Sequence, residues 1–416
     1  MRAMLTGNVA AAWGARLANV DYIPAFPITP QTEIIETLSH WVADGTLTGR
    51  FVMMDSEHSM MTAAGAAAAT GVRVFTATSS QGLLYAMEML YSIAGWRVPL
   101  VLVNVSRAVS APITLEADHN DVLAARDTGF LQLHTETCQE VVDTILMAYR
   151  IAEDPMIQLP VIVNMDGFTL SFTREPVEIP SADEMAAFLP PYHPEHAFFK
   201  ASAPMSQGVA ALGGTAYSYF RYQTHLAALN AIEVHQRIAA EFAVITGRRY
   251  DVIDCYRLED AEDVFVMCNA LASVGKDAVN RLREQGRRVG LLRLRLIRPL
   301  PKVAISEALR GKRCVVVVDQ NLSPGLGGIL FQEIAGTLYN EPDRPRTLSS
   351  FSGGLGGKEI HFDDFVSMLD AAQTSAVPDG STTRLLYNEG EWNRMRGLLK
   401  TAGKEVPSDD PLSVRS

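Results

Sequence analysis

The four cysteines, Cys138, Cys255, Cys268 and Cys314, lie far apart, and no C-x-x-C pair occurs. That spacing excludes a disulfide framework and a zinc or iron–sulfur ligand set built by this chain. Electrons handled here would have to leave through another chain or a bound organic cofactor. Long apolar runs are missing too. No window holds 18 consecutive apolar residues, so no membrane-spanning helix is expected. Residues 1–20 are small and apolar, but Asn8, Trp13 and Arg16 interrupt them. They read as an alanine-rich helix capped near Thr6 or Asn8 rather than a signal peptide, and a cytoplasmic location is expected. Positive charge is scarce, with 36 Lys and Arg against 47 Asp and Glu and a net charge of −11. A nucleic-acid partner, which needs a basic face, is therefore not expected.

Phosphate-binding loops are absent as well. "SPGLGGIL" (residues 323–330) has no G-x-G-x-x-G, and in "SGGLGGKEI" (352–360) Lys358 is followed by Glu359 without P-loop spacing. Both read as tight turns or close backbone packing. "EADHNDV" (116–122) gathers Glu116, Asp118, His119 and Asp121 but lacks EF-hand spacing, and it reads as a solvated loop rather than a metal site. No metal ligands are assigned. There is also no G-D-G followed some thirty residues later by Asn, the pattern with which thiamine enzymes hold Mg²⁺ and a diphosphate.

What the chain does have is the material of large α/β domains. Its 416 residues are 48 % hydrophobic and 20 % charged, ordinary for two or three globular domains. Apolar, β-branched runs alternate with helical patterns over the first 170 residues. Strands are expected in "NVDYIPAF", "RFVMMDSE" (short and buried), "VRVFTATSS", "VPLVLVNVSRA" and "LPVIVNMDG". Helices are expected in "QTEIIETLSHWVADG" (closing on Gly45), "HSMMTAAGAAAATG", "QGLLYAMEMLYSIAG" and "QEVVDTILMAYRIAED". Strands without polar alternation imply a parallel sheet covered by helices on both faces, with ligands at the carboxyl ends of its strands. Thr29, Glu57, Thr78 to Gln81, Arg107 and Asp166 all fall at such ends. From about residue 171 to Gly214 the chain is proline-rich and irregular, a long wrapping connection, followed by a helix from about His225 to Thr246. A second α/β unit begins near Ala261. Its expected strands are "DVFVMCNA", one strand in "RRVGLLRLRLIRPLP", and "KRCVVVVDQN". Beyond about residue 370 the composition is that of an extended tail.

The stretch "AFPITPQTE" (25–33) sets a stiff turn between a strand and a helix, with Thr29 between two prolines. Thr29 could cap the helix that follows or present its hydroxyl to a ligand. Glu57 could simply favour a helix N-terminus, Arg107 could form a surface ion pair, and Ser79, Ser80 and Gln81 could be helix-capping residues.

"FPITPQTEIIE", "DSEHSMMTAAGAAAATG", "VFTATSSQGL", "NVSRA" and "RDTGF", in that order, resemble the alpha subunits of 2-oxoacid:acceptor oxidoreductases of the pyruvate:ferredoxin type. "VGLLRLRLIRPLP", "DQNLSPGLGG" and "GLGGKEI" continue the resemblance, which covers about residues 5 to 365. It implies a thiamine-enzyme pyrimidine-binding domain over 1–230, a transketolase C-terminal-like domain over 255–370, and an extended tail over 371–416. It implies thiamine diphosphate as cofactor, with the pyrimidine on this chain and the diphosphate and Mg²⁺ on a beta subunit. It places iron–sulfur clusters in partner chains only, among beta, gamma and delta-type subunits. Both points agree with the absent G-D-G motif and the scattered cysteines. In that family Glu57 is the carboxyl group facing N1′ of the pyrimidine, which must be protonated before the 4′-imino group can remove the C2 proton. Thr29 and Arg107 meet the substrate carboxylate, and Ser79, Ser80 and Gln81 line the cofactor pocket.

The implied activity is CoA-dependent oxidative decarboxylation of a 2-oxoacid, with electrons passed to ferredoxin or an NAD-linked flavoprotein. A non-catalytic scaffold subunit that keeps the fold is the alternative. Two departures bear on the substrate. Phe26 replaces the usual Tyr, and "VSAPITLEADHNDVLAARDTGF" (109–130) replaces a Gly/Pro/Trp-rich segment. They leave pyruvate as one candidate and add a larger or aromatic 2-oxoacid such as phenylglyoxylate as the other.

Overall fold

A computed structural model describes all residues except 195–197, 209, 375–382 and 404–416. Its elements run β1 (Arg2–Thr6), α1 (Gly7–Leu17), β2 (Tyr22–Ala25), α2 (Thr32–Ala43), β3 (Arg50–Met53), α3 (Glu57–Ala68), β4 (Phe75–Thr78), α4 (Ser80–Tyr85), α5 (Met87–Trp96), β5 (Val101–Ser106), α6 (Asn120–Ala124), β6 (Leu131–His134), α7 (Cys138–Ala152), β7 (Val161–Asp166), β8 (Arg174–Glu178), α8 (Ala182–Phe188) and α9 (Gly214–Thr246). They continue β9 (Ile253–Tyr256), β10 (Asp263–Cys268), α10 (Leu271–Glu284), β11 (Val289–Leu294), β12 (Leu296–Arg298), α11 (Lys302–Leu309), β13 (Cys314–Asp319), α12 (Ile329–Leu338), β14 (Thr347–Ser352), α13 (Phe362–Thr374), β15 (Arg384–Leu385) and α14 (Glu389–Thr401).

Two compact units form. The first comprises Met1–Asp254 with the short pieces Cys268–Ala270 and Leu294–Pro301, and the second comprises Cys255–Met267, Leu271–Arg293 and the chain from Lys302 onward.

The first unit is built on a sheet of order β12-β6-β7-β5-β4. β4, β5, β7 and β6 run parallel, and β12 closes the edge antiparallel to β6. The parallel pair β2-β3 continues it beyond β4 through a bridge between Tyr22 and Val74. β5 and β7 are buried at every residue, as strands covered on both faces must be. Small residues let helices approach closely. A Cβ on Gly14 of α1 would lie 2.8 Å from Ile145 of α7, and one on Gly65 of α3 would lie 2.5 Å from Ile93 of α5.

Helix signals in the sequence were good guides. Thr6 caps α1 by accepting from the Val9 amide, and α2 closes on Gly45 in the left-handed region. Other expectations need correction. β3 is an edge strand with Arg50 and Met53 exposed, not a buried one. The helix expected from Gln81 to Gly95 is two, α4 and α5, meeting at Ala86. The strand expected near 287–301 is also two. β11 pairs in the second unit's sheet, whereas β12 pairs with β6 in the first. The wrapping connection holds β8, which pairs with β1, and α8, closed by a Ser181–Glu184 capping box. α9 starts at Gly214, eleven residues before His225, and runs for 33 residues.

The second unit carries a sheet of order β15-β14-β13-β10-β11-β9 around a core that includes Phe265, Val316, Phe351, Phe365 and Leu369. The first glycine segment is a tight turn, with Gly325 and Gly327 at positive φ. Its Gly328 leaves no room for a Cβ, which would stand 2.1 Å from Asp319. The Asp319 carboxylate is spent on the helix itself, accepting from the amides of Leu330 and Phe331 at the start of α12. The extended tail expected from 371 onward instead carries the end of α13, the short β15 and the helix α14, which opens with a capping box from Asn388. Residues 375–382 and 404–416 of that tail lie outside the described residues.

Candidate active site

The residues singled out from the sequence gather at the carboxyl ends of β2, β3, β4, β5 and β7 in the first unit. β2 delivers the Pro27–Pro30 turn, Ser56 caps α3 and puts Glu57 in its first turn, and β4 leads through Ser79 into α4. β5 ends at Ser106, one residue before Arg107.

Arg107 is the hub. It is 7 % exposed, and its guanidinium donates to the Thr29 carbonyl at 2.7 Å and to Gln81 Oε1 at 2.8 Å. Both acceptors are uncharged, and among the described residues no carboxylate forms a salt bridge with it. The surface ion pair considered from sequence is therefore not what Arg107 makes. Burial draws its guanidinium below the ordinary value, opposed by the charges of Asp121 and Glu57. Gln81 is held in turn. Its Oε1 also accepts from Ser80 Oγ at 2.6 Å, and its Nε2 donates to Ser110 Oγ at 2.6 Å.

Glu57 is equally buried, 7 % exposed, and its carboxyl has no hydrogen bond or ion pair among the described residues. It lies against the first turn of α4, where a Cβ on Gly82 would stand 2.6 Å from Oε1 and 2.5 Å from Thr78 Oγ1. The buried hydroxyls of Thr78 and Ser79 also lack partners among the described residues. The buried Arg107 Nε and two buried hydroxyls left without partners, beside the unbonded Glu57 carboxyl at neighbouring strand ends, are costly for stability alone, and they mark a site shaped for a ligand. The fit to an aminopyrimidine is chemical: a carboxyl for a ring nitrogen, beside a glycine that lets another group come close.

Thr29 joins the site through its backbone. Its side chain is exposed and its hydroxyl bonds nothing described, while its carbonyl is what Arg107 holds. It does not cap α2, whose N-cap is Gln31, with no side-chain cap bond.

The stretch Glu116–Val122, expected to be solvated, is corrected from Asp118 on. Asp118 is 5 % exposed, and His119 and Asp121 are fully buried. Asp121 Oδ2 accepts from the amides of Ser80 (3.0 Å) and Arg107 (3.2 Å) and from Asn104 Nδ2 (3.1 Å). Its Oδ1 accepts from Ser106 Oγ at 3.0 Å and the Val122 amide at 2.7 Å. Asn104 and Ser106 both bond Asn164 on β7, at 2.8 Å each. Burial pushes the Asp121 carboxyl up, and these donors oppose it. Nearby, His119 Nε2 meets Asp166 Oδ1 at 2.7 Å, and Asp166 Oδ2 accepts from the Ala270 amide at 3.0 Å.

Sequence reasoning noted Asp166 but missed Asp121, Asn104, Ser106 and Asn164. A signal was present. "VLVNVS" and "VIVNMD" carry Asn at the same place in two apolar strands, and the register pairs Asn104 with Asn164 and Ser106 with Asp166.

Fold and site together define a thiamine-enzyme type of α/β subunit, a pyrimidine-binding domain followed by a transketolase C-terminal-like domain. Comparison with known proteins makes this specific. The family described as pyruvate flavodoxin/ferredoxin oxidoreductase, thiamine diphosphate-binding, matches residues 13–240, and pyruvate:ferredoxin oxidoreductase core domain II matches residues 261–365. The pyruvate synthase subunit PorA of Pyrococcus abyssi is 40 % identical over 387 residues, covering 93 % of this chain and 97 % of the relative. The ketoisovalerate oxidoreductase subunit VorA of Pyrococcus horikoshii is 38 % identical over 397 residues, covering 95 % and 98 %. Among solved structures, a 2-oxoglutarate:ferredoxin oxidoreductase from Magnetococcus marinus superposes with a TM-score of 0.68 at 16 % identity, covering 90 % of this chain and 65 % of that one. An inactive split-gene transketolase tetramer superposes with a TM-score of 0.52 at 12 % identity, covering 89 % and 99 %. The chain belongs to the pyruvate flavodoxin/ferredoxin oxidoreductase family. No helix among the described residues is long and apolar enough to cross a membrane.

Proposed function

We propose that this chain is the alpha subunit of a multi-subunit 2-oxoacid:ferredoxin oxidoreductase, which converts a 2-oxoacid and CoA to acyl-CoA and CO2. The observation that carries this reading is the pair of buried charged groups, Glu57 and Arg107, at the carboxyl ends of the first unit's strands, neither of them in a salt bridge among the described residues. A scaffold subunit that had lost chemistry would gain stability by neutralising both.

Thiamine diphosphate, when bound, supplies the nucleophilic carbon that adds to the 2-oxo group and accepts the electron pair left by CO2. Glu57 holds a proton at the pyrimidine N1′, from a pocket walled by Gly82, Thr78 and Ser79. Arg107 takes the substrate carboxylate. Its guanidinium is fixed by the Thr29 carbonyl and Gln81 and leaves Nε without a partner among the described residues. The exposed Thr29 hydroxyl is the second donor to that carboxylate, and Ser79, Ser80 and Gln81 line the cofactor pocket. With no phosphate loop here, the diphosphate and Mg²⁺ fall to a beta subunit. The iron–sulfur clusters fall to beta, gamma and delta-type partners, with ferredoxin as acceptor. An NAD-linked flavoprotein is the alternative acceptor, distinguished by whether the complex reduces NAD without added ferredoxin.

Substrate choice rests on the loop after Arg107. Ser110 is tied to Gln81, while Ile113 and Leu115 are 76 % and 46 % exposed. Pyruvate is the first candidate. Phe26 and this apolar loop favour trying bulkier substrates, phenylglyoxylate included. The test is a panel of pyruvate, 2-oxoisovalerate, 2-oxoglutarate and phenylglyoxylate on the whole complex, reading acyl-CoA. Turnover of none of them would overturn the proposal.

A further inference from the structure

We infer that Asp121 is the positioning residue of this site, setting the place of both Arg107 and the Ser80–Gln81 turn. The inference rests on the reading of Arg107 as the carboxylate-binding cation.

Asp121 reaches neither ligand pocket nor solvent. It is fully buried, and both its oxygens are occupied by donors. Two of the three donors on Oδ2 are backbone amides from opposite sides of the site, Ser80 at the start of α4 and Arg107 after β5. One oxygen thus joins the segment that carries the substrate cation to the segment that carries its Gln81 partner. Ser80 needs such a hold. Its φ of +48° lies in the left-handed region, uncommon for a residue with a side chain. Ser80 Oγ also lies 3.0 Å from the Ala108 carbonyl, close enough to turn its one proton there instead of to Gln81, so the same two segments meet a second time. Asn104 donates both to the carboxylate and to Asn164 Oδ1, and the Ser106 hydroxyl sits within reach of both acceptors with its one proton. The rigid strands β5 and β7 therefore hold Asp121, and Asp121 holds the loops. An amide cannot replace it. Turned either way, an asparagine at 121 would set its NH2 against the Ser80 and Arg107 amides or against Ser106 Oγ and the Val122 amide, and a backbone amide cannot become an acceptor.

The experiment is a double-mutant cycle on the assembled complex, with Asp121→Asn, Arg107→Ala and both together, reading KM for the 2-oxoacid and for CoA. Asp121→Asn should raise the 2-oxoacid KM about tenfold and leave the CoA KM within about twofold, as expected when a binding group is displaced by a fraction of an ångström. In the Arg107→Ala background the same change should add less than about twofold, because the group it positions is gone. Full multiplication of the two effects, an equal rise in both KM values, or an unchanged 2-oxoacid KM in Asp121→Asn overturns the inference. A flat response to Arg107→Ala itself overturns the underlying reading instead, so the two failures are distinct. If Asp121→Asn fails to assemble, Asn104→Ala takes its place. It keeps the carboxylate and removes one donor, and its rise of about threefold must likewise disappear when Arg107 is absent.

Discussion

Gly82→Ala is the sharpest test of the carboxyl assignment, because it moves Glu57 without changing its chemistry. The added methyl would stand 2.6 Å from Glu57 Oε1, 2.5 Å from Thr78 Oγ1 and 2.9 Å from Glu57 Cγ, where 3.4 Å is ordinary contact. The Glu57 side chain must therefore retreat by about 0.8 Å. Thr78 sits on a buried strand and cannot share much of the adjustment. A misplacement of about 1 Å costs on the order of 10²-fold in rate where a group must meet a reacting atom. Gly82 lies inside α4 without a positive φ, so alanine is favoured there by about 0.5–1 kcal/mol of helix propensity, which offsets part of the steric strain. The expected outcome is a kcat lowered by about 10- to 10²-fold, with the complex intact and its melting temperature within a few degrees of wild type. The assay is acyl-CoA formation at saturating 2-oxoacid and added thiamine diphosphate, beside a thermal melt. A kcat near wild type in an intact Gly82→Ala complex would refute the placement of Glu57 at the chemistry.

Glu57→Gln should lower kcat by about 10²-fold or more without dissolving the complex, since an amide cannot hold the proton at N1′ as a carboxyl group does; steady-state turnover of the purified complex reads it. Arg107→Ala should raise KM for every 2-oxoacid by at least about tenfold without reordering them, since loss of a charge-assisted contact costs about 1.5–3 kcal/mol. Replacing Ser110–Leu115 should instead change the ratio of kcat/KM between small and bulky substrates, at about 1–3 kcal/mol per methylene-sized feature; the same panel reads both. Acid should weaken the first unit through His235, which burial pushes down to about 4 from an ordinary 6.5 while Nε2 donates to the Tyr250 carbonyl at 2.7 Å. The unfolded chain binds that proton first, so up to about 3 kcal/mol is lost as pH falls from about 6.5 to 4. Melting curves should steepen their fall over that window and flatten in His235→Gln.

The fold was legible wherever one physical signal dominated. "VPLVLVNVS" and "KRCVVVVD" are apolar at nearly every position, and only a strand covered on both faces wants that. Caps at Thr6 and Gly45 were visible because a hydroxyl and a glycine do distinct work at helix ends. What failed was segmentation. "LLRLRLIR" (291–298) holds no turn residue, yet its Arg295 turns inward, donating to Glu140 Oε1 at 2.5 Å and to the Asp251 carbonyl, and so divides one apolar run between two sheets. That division follows from a partner 155 residues away, which local periodicity does not carry. The early start of α9 has a similar cause. Gly214–Tyr222 is exposed at every residue, its aromatic side chains included, so no buried face marks where the helix begins.

The site was legible in its charges and not in its supports. Glu57 and Arg107 drew attention because a carboxyl group and a guanidinium at strand ends have little structural work to do. Asp121 was hidden by its neighbours: Glu116, Asp118 and Asn120 around it make the stretch look solvated. Only the carbonyl end of β5, with Asn104 and Ser106 already turned inward, makes a buried anion affordable there. Thr29 shows a support that the sequence did not announce. Two prolines drew attention to its hydroxyl, and the same turn also fixes its carbonyl, 2.7 Å from Arg107. Pyrrolidine rings constrain backbone, so the group they place most firmly is a backbone one. The turn's first task is therefore to aim a cation, and the guanidinium proposed to meet the 2-oxoacid takes its direction from Thr29 and Gln81, with Asp121 holding the Arg107 backbone and the Ser80–Gln81 turn behind it.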